Sequence, residues 1–271
     1  MRKILIFFFL FFCASSFTKA QTVRMPVTAI YTQLNTYSVH HADAFSFGLN
    51  QAALAQIKNF SAGVYGEKRF LLQDLGLYKA AVALPTSSGN FGFNANYFGS
   101  SLYNESQIGL AYARKLGKAD VGVQFNYYQF KASGYGNAAA INFEAGAIFH
   151  ISEKLRTGVH LYNPMGAKIG KNENEKLPTI FSAGFGYDAS DKFFIGTEIE
   201  KVEDQSINVN AGMQYAFAEK LFARAGISSA TSSFYFGVGF VLNGLRIDAT
   251  ASLHQYLGIT PGLMLVYNSS K

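Results

Sequence analysis

Five histidines and a thin scatter of carboxylates are the side chains in this 271-residue sequence best suited to acid–base or metal chemistry. Glu144 and His160 form the best-spaced pair. If Ile151–Glu153 is a three-residue turn, the two residues face each other across a hairpin, with His150 on the same face. Such a pair is either the acid–base couple of a lipid hydrolase or, more commonly, a hydrogen bond that fills a narrow interior. His40-His41 with Asp43 nearby would interest a metal, but the spacing matches no regular site, so no metal ligand is assigned. No glycine fingerprint joins a strand to a helix, so no nucleotide cofactor is implied. The sequence predicts neither a catalytic residue nor a cofactor. Glu198, Glu200, Arg224, Arg246 and Asp248 are the remaining charges in the polar phase of alternating segments. They are expected to pair with one another or with an interior segment, because buried charges need partners. The alternative is a polar route for a solute.

The elements that hold these residues have a period of two. Phe91, Phe93, Ala95 and Tyr97 alternate with Gly92, Asn94 and Asn96; Val121, Val123, Phe125 and Tyr127 alternate with Gly122, Gln124 and Asn126. Similar runs surround Ile141, Ile207 and Leu245. One face is apolar, and the other carries amides, acids and glycine. A soluble sandwich would show lysine and threonine on its outer face. A transmembrane barrel puts the apolar face to lipid and the amide–glycine face to the lumen, and closure satisfies every backbone polar group. The segments number fourteen: 59–67, 74–84, 89–99, 105–115, 118–130, 138–150, 154–163, 179–188, 192–201, 206–217, 220–228, 232–242, 244–254 and 259–267. Every second connection is short, Asn243-Gly244 being the strongest hairpin signal. The longest connection runs from Asn163 to Pro178.

One apolar stretch breaks the alternation, His40–Ala55. Asn50 is a good helix cap, and Gln51–Gln56 is good helix material, so a short helical turn is expected there, with Ala44–Phe47 extended before it. Upstream, Arg2 and Lys3 precede an apolar core at Ile4–Phe12 and a polar region ending at Ala20, which predicts a cleaved signal peptide over 1–20. Phe12 before Cys13 argues against a lipoprotein. Without residues 1–20 there are 20 basic and 17 acidic residues, a balance too mild for nucleic acid. The chain has 26 Gly, 26 Phe and 16 Tyr, only 15% charged residues, and no apolar run long enough for a transmembrane helix. The expected organisation is a signal peptide (1–20), an N-terminal arm and plug (21–57) and a transmembrane barrel (58–271) in contact with outer-membrane lipid, monomeric and without nucleic acid.

Asp43-Ala44-Phe45-Ser46, then Asn50-Gln51-Ala52-Ala53-Leu54-Ala55, then fourteen strands, resembles the PorV/PorQ-type outer-membrane barrels of the FadL long-chain fatty-acid transporter superfamily. In that group an N-terminal segment with an Asn-Pro-Ala motif enters the barrel as a plug; Asn50 and Ala52 match it and Gln51 stands where the proline would be. The resemblance implies a plug made by Asp43, Phe45, Phe47, Asn50, Gln51, Ala52 and Leu54. It implies a Gram-negative outer-membrane location and one of two roles. One is an accessory or docking barrel for a type IX-like secretion machine, with a secretion-machinery protein as partner. The other is a FadL-like channel for a hydrophobic small molecule.

Overall fold

In the computed structural model, residues 35–170 and 175–269 are described. The signal-peptide reading of 1–20 and the first part of the arm lie outside the described residues. The strands in chain order are β1 (Ser61–Lys68), β2 (Gly76–Thr86), β3 (Gly89–Gly99), β4 (Tyr103–Leu116), β5 (Ala119–Ala132), β6 (Gly136–His150), β7 (Leu155–Tyr162), β8 (Lys168–Ile169) and β9 (Glu175–Lys176). They continue with β10 (Ile180–Ser190), β11 (Phe193–Val202), β12 (Asn208–Ala218), β13 (Leu221–Ser228), β14 (Ser233–Leu242), β15 (Leu245–His254) and β16 (Gly258–Asn268). All but β8 and β9 form one closed antiparallel barrel of fourteen strands, sealed where Ser61 of β1 lies opposite Asn268 of β16.

The two-residue period separates the faces of this wall. On β5, Val121, Val123, Phe125 and Tyr127 are exposed, whereas Asp120, Gln124, Asn126 and Tyr128 are buried. On β14, Phe234, Phe236, Val238 and Phe240 are exposed in the same way. An apolar surface that girdles the whole molecule is the lipid face of a transmembrane barrel. Aromatic clusters mark its rims. Phe91 and Tyr112 pack at 5.2 Å, and Tyr215 and Phe217 at 5.0 Å, near the short-turn end, while Tyr78 and Tyr97 meet at 6.4 Å near the other. The short turns gather at the end that also carries the start of β1 and the end of β16. At Asn243-Gly244 both residues have positive φ (47° and 83°), the geometry that follows the twist of a tight hairpin.

Two local expectations need correction. The β6–β7 connection is longer than a three-residue turn, because the backbone N–H groups of Ile151 and Ser152 both bond to the carbonyl of Leu155. The register therefore shifts: Glu144 lies opposite Tyr162, and His160 opposite Gly146. Residues Ala44–Phe47 are not extended either. Phe45 is helical in backbone angle and Ser46–Gly48 is a 3-10 turn. Asp43 Oδ1 accepts from the Phe45 N–H at 2.8 Å, and Ser46 Oγ accepts from the Asp43 N–H at 3.0 Å, so two side chains close a turn that the apolar pattern does not reveal.

The long connection after β7 also has structure of its own. Asn163 takes a positive φ of 49°, its Nδ2 donates to the Leu177 carbonyl at 2.7 Å and its Oδ1 accepts from the Ala167 N–H at 2.9 Å. This clasp joins the two ends of the loop, and the small β8–β9 hairpin brings Ile169 and Leu177 against the lumenal residues Tyr128 and Ala140. The described parts of the loop fold inward over part of the long-loop end.

Candidate functional site

Residues 35–57 lie inside the short-turn half of the barrel. Phe45, Phe47, Ala52 and Leu54 are buried, packed against Tyr65, Leu77, Ala81, Ala111, Met264 and Val266 of the wall or against Tyr37 and Ile148. The second 3-10 helix, Gln51–Gln56, is capped by Asn50, whose Oδ1 accepts from the Ala52 N–H at 3.1 Å. Its amide nitrogen donates to the Val159 carbonyl at 3.0 Å, so one side chain both starts the helix and fastens it to β7. From the wall, Asn90 returns two bonds of 2.7 Å, to the carbonyls of Leu54 and Ile57 at the helix end.

The barrel leaves room for this segment by omitting side chains. A Cβ on Gly122 would sit 2.5 Å from the Gln51 carbonyl carbon, and one on Gly146 would sit 2.1 Å from Asn50 Oδ1. Such approaches forbid any larger residue unless the segment moves.

Charges fasten it as well. Arg246 Nη2 lies 2.6 Å from Asp43 Oδ2, and Arg246 Nε lies 3.0 Å from Asp248 Oδ2, which also faces Arg224 Nη1 at 3.8 Å. The sequence-predicted residues Asp43, Arg224, Arg246 and Asp248 thus form one buried cluster between plug and wall. A second cluster centres on Glu144. Its Oε2 accepts from Gln51 Nε2 at 2.6 Å and lies 3.0 Å from His160 Nε2, while Oε1 accepts from Asn126 at 2.7 Å and Gln124 at 3.2 Å. The contact with His160 is diagonal, across the shifted register. A carboxylate tied to four neighbours is a fastening, and its lone pairs are committed to Gln51 of the plug and to three residues of the wall. Gln51 therefore supplies a wall bond that a proline at this place could not make.

Some partners gave no signal in the sequence. Ser38 donates to Asp188 Oδ1 at 2.7 Å, and the Val39 N–H donates to Asp188 Oδ2 at 2.7 Å. Arg156 reaches the Ser38 carbonyl at 3.0 Å and also bonds Gln56. Asp188 and Arg156 stand at lumenal positions beside short turns, where a polar residue reads as ordinary turn chemistry. His41 packs edge-on to Phe194 with ring centroids 6.5 Å apart. Burial, followed by the nearby Arg224, His40 and Arg246, outweighs Asp188 and lowers its pKa from 6.5 to about 4. Among the described residues no cluster of three or more His, Cys, Asp or Glu could hold a metal.

Above the plug lies a cavity of about 220 Å³. Its floor is the plug itself, through Phe45, Phe47 and Leu49, and it runs towards the long-loop end, bordered there by Pro178, Gln205 and Thr231. The walls are amide-rich, with Asn94, Gln107, Gln124 and Asn208 among them. Glu198 and Glu200 line this cavity instead of joining the arginine cluster. Glu198 Oε2 accepts from the hydroxyl of Tyr37 at 3.3 Å, so its link is to the plug. Lys79 also lines the cavity, with Glu67 and Glu144 as its acidic neighbours.

No protein-family model matches the sequence, and no curated protein matches it either. Solved structures do. The chain is similar to the CymD monoaromatic hydrocarbon channel, at 12% identity and a TM-score of 0.65, over 88% of this chain and 97% of that one. It is similar to the toluene transporter TodX of Pseudomonas putida, at 9% identity and a TM-score of 0.60, over 91% and 98% of the two chains. A FadL homologue of Pseudomonas aeruginosa matches at 11% identity and a TM-score of 0.57, over 92% and 97%. At these identities the likeness is one of fold: a closed antiparallel β-barrel.

Proposed function

We propose that this protein is a non-catalytic channel of the outer membrane, which admits a small molecule with an apolar body from the long-loop side and holds it above the plug. The observation that carries this reading is the cavity, closed below by the aromatic floor of Phe45 and Phe47. A solid barrel would have no such space, and an open pore would have no such floor. The matched structures named as hydrocarbon channel and toluene transporter support a guest of modest size. In this reading residues 1–20 are a cleaved export signal, 35–57 are the plug, and 58–271 form a barrel that acts as a monomer in a Gram-negative outer membrane. The PorV/PorQ likeness of the plug motif belongs to the same reading, since a plug is what both groups share.

The test is binding and passage. Ethylbenzene is expected to bind the detergent-purified protein with measurable heat. Liposomes containing it are expected to swell in small solutes only when residues 40–57 are deleted. Absence of hydrocarbon binding, with no swelling in either form, would sink the channel reading. The secretion-docking role would then be taken up by pull-down from intact outer membranes. Catalysis by Glu144 and His160 is disfavoured because the carboxylate is already spent on Gln51, Gln124 and Asn126.

A further inference from the structure

The short-turn rim carries an ordered row of cations that neither the plug nor the cavity uses. Lys118, Lys154, Lys192 and Lys220 close four successive short turns, those before β5, β7, β11 and β13. Each holds the same place in the sheet. Its carbonyl accepts from the neighbouring hairpin, through the N–H of His150, Asp188, Ala216 and Val241 respectively. The residue after each lysine faces an aromatic across the sheet: Ala119 faces Phe149, Leu155 faces Tyr187, Phe193 faces Tyr215 and Leu221 faces Phe240. All four aromatics are exposed on the lipid face. An aromatic belt of this kind lies at the membrane–water interface. The lysines are exposed and stand one residue beyond it, about 3.3 Å further out, at the depth of the headgroup phosphates.

Arg114 is a second, separate sign of an anion in the lipid. It is exposed and lies opposite Val121, on the lipid-facing phase of β4. Leu116, two residues further on, is the one that reaches the level of Ala119 and the belt. Arg114 is therefore on the membrane side of the belt. A guanidinium at that depth is costly unless its stem lies along the wall and its head reaches a phosphate. The exposed acids of these turns are Glu153, Asp191 and Glu219, each immediately before a lysine, and Asp191 already meets His40 at 3.3 Å. With Lys115, the exposed basic residues of the arc outnumber them two to one. Lys154 Nζ donates to the Ala189 carbonyl at 3.2 Å, which leaves two of its three N–H groups for a ligand. Turn chemistry does not require such a row. Gly244 holds the equivalent place before β15, its carbonyl accepting from the Asn268 N–H, and the β2–β3 turn carries no charge.

We propose that the arc of this rim from β4 to β13 is a binding surface for anionic phospholipid, with the four lysines and Arg114 on headgroup phosphates. The short-turn end of an outer-membrane barrel faces the periplasm, so the lipid is that of the inner leaflet. A basic side chain at a membrane surface favours an anionic headgroup by about fivefold. The surface serves the barrel whether or not a guest occupies the cavity.

The test is a competition between headgroups. The purified barrel is mixed with equal amounts of phosphatidylglycerol and phosphatidylcholine of identical acyl chains, and the lipids that stay with it through gel filtration are quantified by mass spectrometry. The wild type is expected to retain phosphatidylglycerol over phosphatidylcholine by about fivefold, and to lose that preference in about 1 M salt, where charges are screened within about 3 Å. Replacing all four lysines, Lys118→Gln, Lys154→Gln, Lys192→Gln and Lys220→Gln, should bring the ratio to near one, with heat-modifiable migration in gels confirming a folded barrel. Arg114→Gln alone should lower the ratio in part, and decides the matter if the fourfold variant does not fold. Lys131→Gln with Lys201→Gln, at the long-loop end, should leave it unchanged. A wild-type ratio near one overturns the proposal, as does a ratio that survives the four substitutions or falls equally in the long-loop control. Lysine-dependent binding of a polyglutamate peptide without any headgroup preference would mark a soluble acidic partner instead, and overturns it too.

Discussion

Replacing Gly122 by alanine asks whether the plug is held by fit. The added Cβ would lie 2.5 Å from the carbonyl carbon of Gln51, 2.6 Å from its oxygen and 2.7 Å from the Ala52 nitrogen. These are backbone atoms, so no rotamer change relieves the overlap. Reaching an ordinary 3.4 Å contact from 2.5 Å requires a displacement of 0.9 Å, the difference of the two distances. The plug cannot move that far in place, because the Gln51–Glu144 bond of 2.6 Å and the Asn50 bond of 3.0 Å to Val159 anchor the same residues. Overpacking of this kind costs about 1–3 kcal/mol. The population of undocked plug should therefore rise by about 5- to 150-fold. The assay is the rate of proteolytic cleavage within residues 40–57 of the barrel in liposomes, with solute-driven swelling as a second readout. Gly66→Ala is the control, since a Cβ there meets only the Tyr78 ring at 3.4 Å. If Gly122→Ala and Gly66→Ala are cleaved at the same rate and swell alike, close approach does not hold the plug, and the reasoning fails.

Other outcomes follow from the fastenings. Asp43→Ala strips one of two carboxylate partners from the buried Arg246, leaving Asp248, and should destabilise plug docking by about 1.5–3 kcal/mol, read as a lower thermal midpoint and faster cleavage of residues 40–57. Asn50→Ala removes the helix cap as well as the bond to Val159, and about 1 kcal/mol or somewhat more of docking stability should go with the cap, measured in the same cleavage assay. Acidification should also loosen the plug. His41 has a folded-state pKa of about 4, below its unfolded 6.5, so the unfolded segment takes up the proton first. The stabilising contribution is full above about pH 6.5 and is lost as the pH falls towards 4. His41→Phe should flatten that part of a pH series of cleavage rates; an unchanged series would remove His41 as the cause.

The barrel wall was legible in the sequence because strand chemistry is local. Period-two alternation assigns each residue to lipid or lumen with no knowledge of neighbours, and the short turns at every second connection fix the strand count. The Asn50 cap was legible for the same reason: its signal lies within three residues of the helix it starts. The register of β6 against β7 was not, since it depends on how the backbone closes around Ile151–Leu155, and two more residues in that closure moved the partner of Glu144 from His160 to Tyr162. The turn at Asp43–Ser46 was hidden by its apolar residues.

What the sequence determined by itself was a membrane barrel with an irregular segment ahead of it, because hydrophobic periodicity and turn residues act over a few positions. Only the tertiary structure decided what that segment does. Asp43 finds Arg246 across 203 residues and Gln51 finds Glu144 across 93, pairings that no local pattern encodes. The structure likewise separated the charged residues into those that fasten the plug and those, Glu198 and Glu200, that face a cavity above it. Those on the barrel wall all occupy the same polar phase of their strands. Their depth in a closed barrel, relative to the plug, is set by the stagger of strands far apart in the chain, and that is a property of the assembled sheet.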